Sequence, residues 1–446
     1  MSASALTPEA QPLSTLTRAQ AQTLLESVCE QAERKPTPTG ERVLLEFVSA
    51  NPHNPLSAAH GRGGVIGDSL AALLSHTGNT VTREFYVNDA TNSRQMRLFG
   101  RAVVGAWRRE TGNDDYAARV ARELKVTRAF AYLSALPPSE AETKAGDIAA
   151  KHIRTDQEID LDRLGVRFDQ FFFEGSLHTR GVVQTTLNRL RDAGHAYEKN
   201  AALWLRSTAF GDEADRVLLR EDGTPTYLAG DLAYHADKFE RGFDRLIDVW
   251  DTDHAGYIER TRAGLAALGY DPARLHVVLH GPVRVLKDGT ELKAGQTVTL
   301  EELLNEAPRD TLRLLLLLAS PSASVDIDVD RARRQDSANP LWLIQRTCEH
   351  AEKEAQSTSV AVTDNAAPAF EVVAALQNCV RAANEAARVL SPALLATAAL
   401  QTARNYERYG AACAGQTWPL LGRATASTLR LALRLLINPS PDKVNP

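Results

Sequence analysis

The segment from Leu44 to Gly64 constrains the fold more than any other, because it joins a strand, a turn and a glycine-rich helix start. Its first residues, Leu44–Val48, form an apolar run typical of a buried strand, interrupted by one acidic residue, Glu46. A turn cluster with two prolines then excludes helix and strand, and a helical pattern with closely spaced glycines begins at His60. This unit predicts a phosphate-binding site, because free backbone N–H groups and the helix dipole point at the loop. An ordinary strand-to-helix connection, in which the glycines only allow close helix packing, is the alternative.

The pattern that follows predicts a parallel α/β sheet. Thr80–Val87 alternates like a strand and completes a β–α–β unit, and Leu246–Trp250 and His276–Leu279 continue the alternation of strands with helices. Between about residues 92 and 160 the chain is charged and helix-like, which indicates a helical insertion into this fold. Asn88 comes directly after a strand, at the edge where open α/β sheets bind their ligands.

The length of 446 residues predicts two or three domains. Residues 1–40 hold one helix and cannot bury a core of their own, so we expect them to be an appendage. Residues 41–321 carry the α/β pattern. After Ser320 and Pro321 the pattern turns wholly helical, which predicts an α-helical domain over residues 322–446.

The composition is that of an ordinary soluble globular protein, with 43% hydrophobic and 24% charged residues. A net charge of −5 does not indicate nucleic-acid binding, although a local basic groove is compatible with it. The four cysteines are scattered without any C-x-x-C pair, so the pattern predicts neither zinc nor a disulfide framework, and we expect no metal site. No apolar run approaches the roughly 18 residues of a membrane span, and the N-terminus lacks a secretory signal, so we expect a cytoplasmic protein without membrane association.

Several long stretches resemble the class I arginyl-tRNA synthetases, among them EFVSANPHNPLSAAHGRGG, VTREFYVNDA and LGVRFDQFFFEGSL. Residues 43–100 and 164–330 are similar to the catalytic domain of that family, and residues 310–446 are similar to its helical anticodon-binding domain. The resemblance implies a Rossmann-like, nucleotide-binding parallel sheet followed by an all-α bundle. It also implies a reaction in which the arginine carboxylate attacks the α-phosphate of ATP, bound with Mg²⁺, before arginine passes to a tRNA ribose hydroxyl.

The implied partners are arginine or an arginine-like ligand, ATP, and tRNA bound through the C-terminal helical domain. The family carries a further N-terminal domain that grips the tRNA. Only the first 40 residues of this sequence stand in that place, so we expect a weakened contact with tRNA there.

Both catalytic signatures of the family are altered in this sequence. The H-x-G-H motif reads SAAH from Ser57 to His60, so one imidazole remains and the methyl group of Ala59 stands where glycine is expected. The lysine-bearing K-M-S-K loop is shortened, and Lys293 is its remaining lysine. The resemblance therefore makes His60 and Lys293 the candidate catalytic residues. It assigns ATP binding to six positions, namely Ser57, His60, Gly61, Gly63, Asp253 and His254.

The residue types of the family's arginine pocket are retained. The matching positions are Glu46, Asn51, Tyr227 and Asp231. Carboxylates at the end of a pocket suit a guanidinium group, whose planar fork pairs with oxygen acceptors. Taken alone, an acid such as Asp231 on an amphipathic helix is more often a solvated surface group.

The contrast between a retained arginine pocket and altered ATP loops leads to three hypotheses. The first is a paralogue, or pseudoenzyme, that binds arginine while ATP-dependent activation and transfer to tRNA are weakened or lost. The second is an active arginine–tRNA ligase in which His60 and Lys293 carry the phosphate chemistry. The third is a non-catalytic regulatory protein that binds a partner, not identified by the sequence, on a synthetase scaffold.

Overall fold

The computed structural model describes residues 17–88, 94–108, 115–125, 127–358, 367–412 and 418–437. Its strands, in chain order, are β1 (Arg42–Phe47), β2 (Thr80–Val87), β3 (Gln170–Phe173), β4 (Ala196–Lys199), β5 (Ala202–Leu205), β6 (Arg216–Leu219), β7 (Arg245–Asp251), β8 (Leu275–His280), β9 (Val283–Lys287), β10 (Thr290–Glu291) and β11 (Val325–Asp328).

Seventeen α-helices lie in the described ranges. They are α1 (Arg18–Glu33), α2 (Ala58–His76), α3 (Arg94–Arg108), α4 (Asp115–Lys125), α5 (Arg128–Ser134), α6 (Pro138–Leu164), α7 (Glu174–Thr179), α8 (Val182–Asp192), α9 (Tyr227–Glu240), α10 (Ile258–Ala267), α11 (Leu300–Glu306), α12 (Arg309–Leu317), α13 (Val329–Ala332), α14 (Pro340–Ala355), α15 (Ala367–Arg388), α16 (Ala393–Ala412) and α17 (Pro419–Leu436). None of the helices described in these ranges is long and apolar enough to cross a membrane.

A five-stranded parallel sheet in the order β3-β2-β1-β7-β8 forms the centre of the molecule. Its central strand, β1, aligns Val43 with Val81 of β2 and with Arg245 of β7. The side chains of β1 are almost completely buried, which explains its continuous apolar sequence, because both faces of a parallel sheet are covered by helices. The predicted Rossmann-like parallel sheet is therefore confirmed.

Helix α2 follows β1 and lies directly against it. A Cβ atom added to Gly67 would lie 2.3 Å from Cγ of Phe47, so only glycine allows this helix to approach the strand so closely. One turn of α2 also carries a buried acid, Asp68, which pairs with Arg313 of α12 at 2.7 Å and with Arg83 of β2 at 3.2 Å. These contacts fix the axis of α2, and hence the position of its first turn.

The segment predicted as a helical insertion contains helices α3 to α6. These helices pack around an apolar core of their own, which is separate from the core beneath the sheet. Its members include Phe99, Val103, Val120, Leu133 and Ile153.

The C-terminal region forms a bundle of α14, α15, α16 and α17, as the sequence predicts. Helix α1 packs on α15 and α17 and buries Leu25 and Val28, and Glu33 at its end pairs with Arg423 at 3.0 Å. The part of the expected appendage that the structure describes is thus integrated with the bundle.

The prediction that the chain turns wholly helical after residue 321 is wrong. Strand β11 pairs in parallel with β9, and with β10 they form a three-stranded sheet. The sequence VDID alternates as a strand should, with Val325 and Ile327 buried and the two acids exposed. The placement of the domain boundary at residue 321 remains a prediction.

Candidate functional site

A cavity of about 520 Å³ opens at the carboxyl ends of β1, β2, β7 and β8, beside the first turns of α2 and α9. This is the edge of a parallel sheet at which ligands bind. The four positions predicted to bind arginine line it, as do Ser57, His60 and His254 from the predicted ATP positions. Gly61, Gly63, Asp253 and Lys293 do not line it.

The chain turns sharply where β1 enters this cavity. Val48 and Ser49 both adopt positive φ angles, 69° and 41°, which are unfavourable for residues with a side chain and often occur at functional sites. The turn directs the hydroxyl of Ser49 back to Oε1 of Glu46, at 2.8 Å. The same hydroxyl oxygen accepts the backbone N–H of Tyr86 at 3.2 Å, which connects the ends of β1 and β2.

Glu46 is held by a buried lysine that the sequence analysis did not identify. Lys238 of α9 donates to Oε2 of Glu46 at 2.6 Å and to Oδ1 of Asp248 at 2.9 Å, and its side chain is fully buried. Burial by itself lowers the pKa of Lys238, but the two carboxylates outweigh burial and the net pKa lies above the ordinary value. The lysine therefore stays charged, and each oxygen of Glu46 already has one donor. The available signal was the spacing of Lys238 from Asp231, two turns along one helix.

Asp231, the second acid deep in the cavity, has no lysine or arginine partner among the described residues. Within the described ranges no group donates a hydrogen bond to its side chain, which is half-buried and lies near Glu46 and Glu174. The pKa of Asp231 is raised to about 6: burial is the main cause, the two neighbouring acids also raise it, and His235 and Lys238 oppose the increase. Such a group is favourable for a cationic ligand, because a cation would compensate the buried negative charge.

The other two predicted arginine contacts lie at the edge of the cavity. Tyr227 begins α9 and is 69% exposed, and Asn51 is also exposed. Both therefore lie where a ligand enters, whereas Glu46 and Asp231 lie deeper.

The first turn of α2 forms the opposite side of the cavity. Ser57 is its N-cap: its Oγ accepts the backbone N–H of His60 at 3.2 Å, and its own N–H donates to Nδ1 of His60 at 3.1 Å. Because Nδ1 accepts this bond, the proton of the neutral ring lies on Nε2. Burial lowers the pKa of His60, while Asp251 opposes this, so the ring is a neutral donor at pH 7.

The two glycines predicted to bind ATP face the protein interior. A Cβ atom on Gly61 would lie 2.7 Å from Cδ1 of Leu300, and one on Gly63 would lie 3.0 Å from Nε2 of His280. These contacts fit the alternative in which the glycines allow close packing around the first turns of α2.

The two predicted ATP-binding residues after β7, Asp253 and His254, lie on a 3₁₀ turn over residues 252–257. Asp251 caps this turn by accepting the N–H of Asp253 at 3.0 Å, and its carboxylate lines the cavity. His254 also lines the cavity, whereas Asp253 is exposed outside it.

Lys293 lies outside the cavity, on the connection from β10 to α11. It has a positive φ angle of 56°, and its ammonium group pairs with the carboxylate of Glu302. Glu302 also accepts the N–H of Thr299 at 2.9 Å, so one side chain both caps α11 and holds the lysine.

The two altered signature segments are bonded to each other through the backbone. The N–H of Ala58 donates to the carbonyl of Val298 at 2.9 Å, and the N–H of Leu300 donates to the carbonyl of Leu56 at 2.7 Å. The segment before α11 therefore has a fixed position beside the first turn of α2.

One group of three possible metal ligands occurs in the described part of the chain, in the helical insertion and outside the cavity. Glu123, His152 and Asp156 bring their ligand atoms within 4.8 Å of one another. Arg119 lies 3.7 Å from Asp156 and 3.9 Å from Glu123, so one guanidinium already offsets part of the negative charge of this group.

Comparison with known proteins identifies the class that this fold and site define. Residues 113–317 match the family model described as the catalytic domain of class I tRNA synthetases (R). A Campylobacter jejuni crystal structure, provisionally described as an arginyl-tRNA synthetase, superposes with a TM-score of 0.80 at 26% identity and covers 94% of this chain and 98% of that one. The molecule is thus a class I aminoacyl-tRNA synthetase by fold.

Sequence relatives identify the family within that class. The arginine–tRNA ligase of Leptothrix cholodnii is 35% identical over 451 aligned positions, which cover 91% of this chain and 80% of the relative. That of Desulfosudis oleivorans is 39% identical over 320 residues, or 69% of this chain. The chain belongs to the arginine–tRNA ligase family, although this second match spans only 57% of the relative's length.

Proposed function

We propose that this protein is an arginine–tRNA ligase, which binds L-arginine in the cavity, activates it with ATP and transfers it to tRNA. The observation that carries the proposal is Asp231, a carboxylate inside the cavity to which no described group donates a hydrogen bond. Membership of the family supports the reaction, and the acidic cavity supports the choice of a cationic amino acid.

In this proposal the guanidinium group of arginine pairs with Asp231. The planar fork of a guanidinium forms two parallel hydrogen bonds with one carboxylate, and such pairs are among the strongest hydrogen bonds in proteins. Glu46 keeps its bonds to Lys238 and Ser49 and accepts from the ligand with its remaining lone pairs. Tyr227 and Asn51 at the entrance contact the ligand outside the charged pair.

ATP would occupy the side of the cavity formed by the first turn of α2. His60 offers Nε2–H to phosphate, and the positive end of the helix dipole favours the same charge. Mg²⁺ would enter with the phosphates, which with water supply most of its six ligands, and Asp251 is the carboxylate that lines this side. The chemistry then requires placement of the arginine carboxylate in line with the α-phosphate and donors for the charge that develops there.

The test is arginine-dependent ATP–pyrophosphate exchange, measured with and without tRNA. Exchange should occur with arginine and not with citrulline, which has the same shape without the charge that Asp231 recognises. Absence of exchange in both conditions, with arginine binding retained in calorimetry, would exclude the ligase and leave the second candidate below.

The second candidate is a paralogue that binds arginine but activates it slowly or not at all. Three observations favour it: Ser57 supplies a cap in place of an imidazole, Ala59 brings a methyl group into the cavity, and Lys293 is engaged by Glu302. Loss of one preorganised donor typically lowers the rate by about 10²–10³. A variant with Ser57→His and a restored lysine loop should recover exchange if the arginine pocket is competent.

A further inference from the structure

His280 is a buried imidazole at the nucleotide side of the cavity that the expected chemistry does not use. It is the last residue of β8, it is 6% exposed, and it lines the cavity. Within the described ranges no group forms a hydrogen bond with its Nδ1. A buried polar atom without a partner is costly, and in a binding site it indicates a partner that arrives with the ligand.

The imidazole reaches this place because Gly63 has no side chain. Its Nε2 lies 3.0 Å from the position that a Cβ atom on Gly63 would occupy, so the ring rests on the backbone of α2. His60 lies three residues earlier on the same helix and is near enough to influence the charge of His280. The first turn of α2 therefore has two imidazoles beside it, His60 from α2 and His280 from β8, even though Ser57 has none.

His280 lies between charges of opposite sign, the guanidinium of Arg62 and the carboxylate of Asp251. Arg62 is completely buried beneath this region, where its guanidinium donates to the carbonyls of Gly281 at 3.0 Å and Ser320 at 2.9 Å and, within the described ranges, pairs with no carboxylate. Burial lowers the pKa of Arg62 to about 10, so it still carries its charge at pH 7. The acid facing His280 is Asp251, whose Oδ2 lies 3.9 Å from Nδ1.

The protonation of His280 is consistent with this environment. The pKa of His280 is lowered to about 4: burial is the main cause, Arg62 and His60 also lower it, and Asp251 and the backbone of Gly281 oppose the decrease. The ring is therefore neutral before a ligand binds, and it can carry its single proton on Nδ1, because Nε2 lies against the backbone of α2.

We propose that His280 is a phosphate-binding residue of this site, whose Nδ1–H donates to a phosphate oxygen of ATP and supplies the second imidazole that Ser57 does not. No bond is broken in this role; the residue contributes a hydrogen bond to a charged acceptor. The inference rests on the proposed function, since it requires that the cavity accept a nucleotide.

The experiment compares His280→Leu, which fills the site without a donor, with His280→Asn, whose amide nitrogen can occupy the place of Nδ1. His276→Leu is the matched control, because it removes an imidazole from the same strand at a position that does not line the cavity. Calorimetry measures the binding of α,β-methylene-ATP with Mg²⁺, which does not require catalysis, and the binding of arginine reports whether each variant is folded.

The nucleotide should bind about 10–100-fold more weakly to His280→Leu, the usual effect of losing one hydrogen bond to a charged group, and within about threefold of wild type to the other two variants. Arginine affinity should be the same in all four proteins. Equal nucleotide affinity of His280→Leu and wild type, or equal losses in His280→Leu and His280→Asn, would overturn the role. A wild type that binds no nucleotide would also overturn it, whereas one that binds nucleotide without exchange would contradict only the ligase function.

Discussion

Replacing Asp231 with asparagine should stabilise the fold and weaken arginine binding at the same time. In the folded protein the pKa of Asp231 is about 6, compared with an ordinary value of 3.8. For an acid whose folded pKa is raised, the free energy of unfolding is greatest at low pH and decreases as the pH rises through this interval. The difference corresponds to about 3 kcal/mol at most at pH 7, at 1.36 kcal/mol for each tenfold change in proton affinity.

Asparagine has nearly the same shape and no charge, so the Asp231→Asn variant should escape this cost. We expect its free energy of unfolding at pH 7.5 to exceed that of wild type by about 1–3 kcal/mol, which for a protein of this size raises Tm by a few degrees. The difference should shrink between pH 6 and pH 4, because the wild-type carboxyl becomes protonated there. Thermal unfolding of both proteins across this pH range measures it.

The same variant should lose arginine binding by about 10–100-fold, because a charge-assisted pair is replaced by a neutral contact. In the wild type, arginine affinity should fall about tenfold from pH 7.5 to pH 5, since the proton on Asp231 must leave before the guanidinium pairs with it. An Asp231→Asn variant that is less stable than wild type at pH 7.5, or one whose stability difference does not change with pH, would refute the reasoning.

Three further changes test the structure around the site. Lys238→Met leaves two buried carboxylates without their shared cation and should cost about 3–5 kcal/mol in chemical denaturation; a neutral effect would contradict the buried ion pair. Gly67→Ala places Cβ 2.3 Å from Cγ of Phe47 and should cost about 1–3 kcal/mol through overpacking, which an unchanged denaturation midpoint would disprove. Glu302→Gln preserves the helix cap but removes the charge that holds Lys293, and should increase kcat in the exchange assay several-fold if that lysine reaches phosphate; an unchanged kcat would exclude such a role.

Strong local patterns made the elements of the fold predictable. β2 has the predicted ends, Thr80–Val87, and β1, β7 and β8 differ from their predicted ranges by one or two residues at each end. Strand β11 was missed although Val325 and Ile327 alternate with acids, because a four-residue charged strand after a break resembles a loop. Its position in the fold is determined by its pairing with β9, which lies about 40 residues earlier in the chain.

The sequence predicted only those site residues whose role follows from their own residue type. The acids Glu46 and Asp231 do line the cavity, but their different environments depend on Lys238, which lies 192 residues after Glu46. Likewise His280 comes from the fifth strand of the parallel sheet in chain order, and no local motif connects it to α2. Long-range ion pairs and contacts of this kind follow from the topology and are absent from any short window of sequence.

The backbone bonds between the two signature segments determine what movement Lys293 needs in order to contribute to catalysis. Because Val298 and Leu300 are bonded to the start of α2, the end of the lysine loop cannot move without breaking that pairing. The part before it contains positive φ angles at Asp288, Gly289, Lys293 and Gly295, so the chain changes direction at four positions there. The ion pair with Glu302 is therefore the contact that must break before Lys293 can turn toward the cavity.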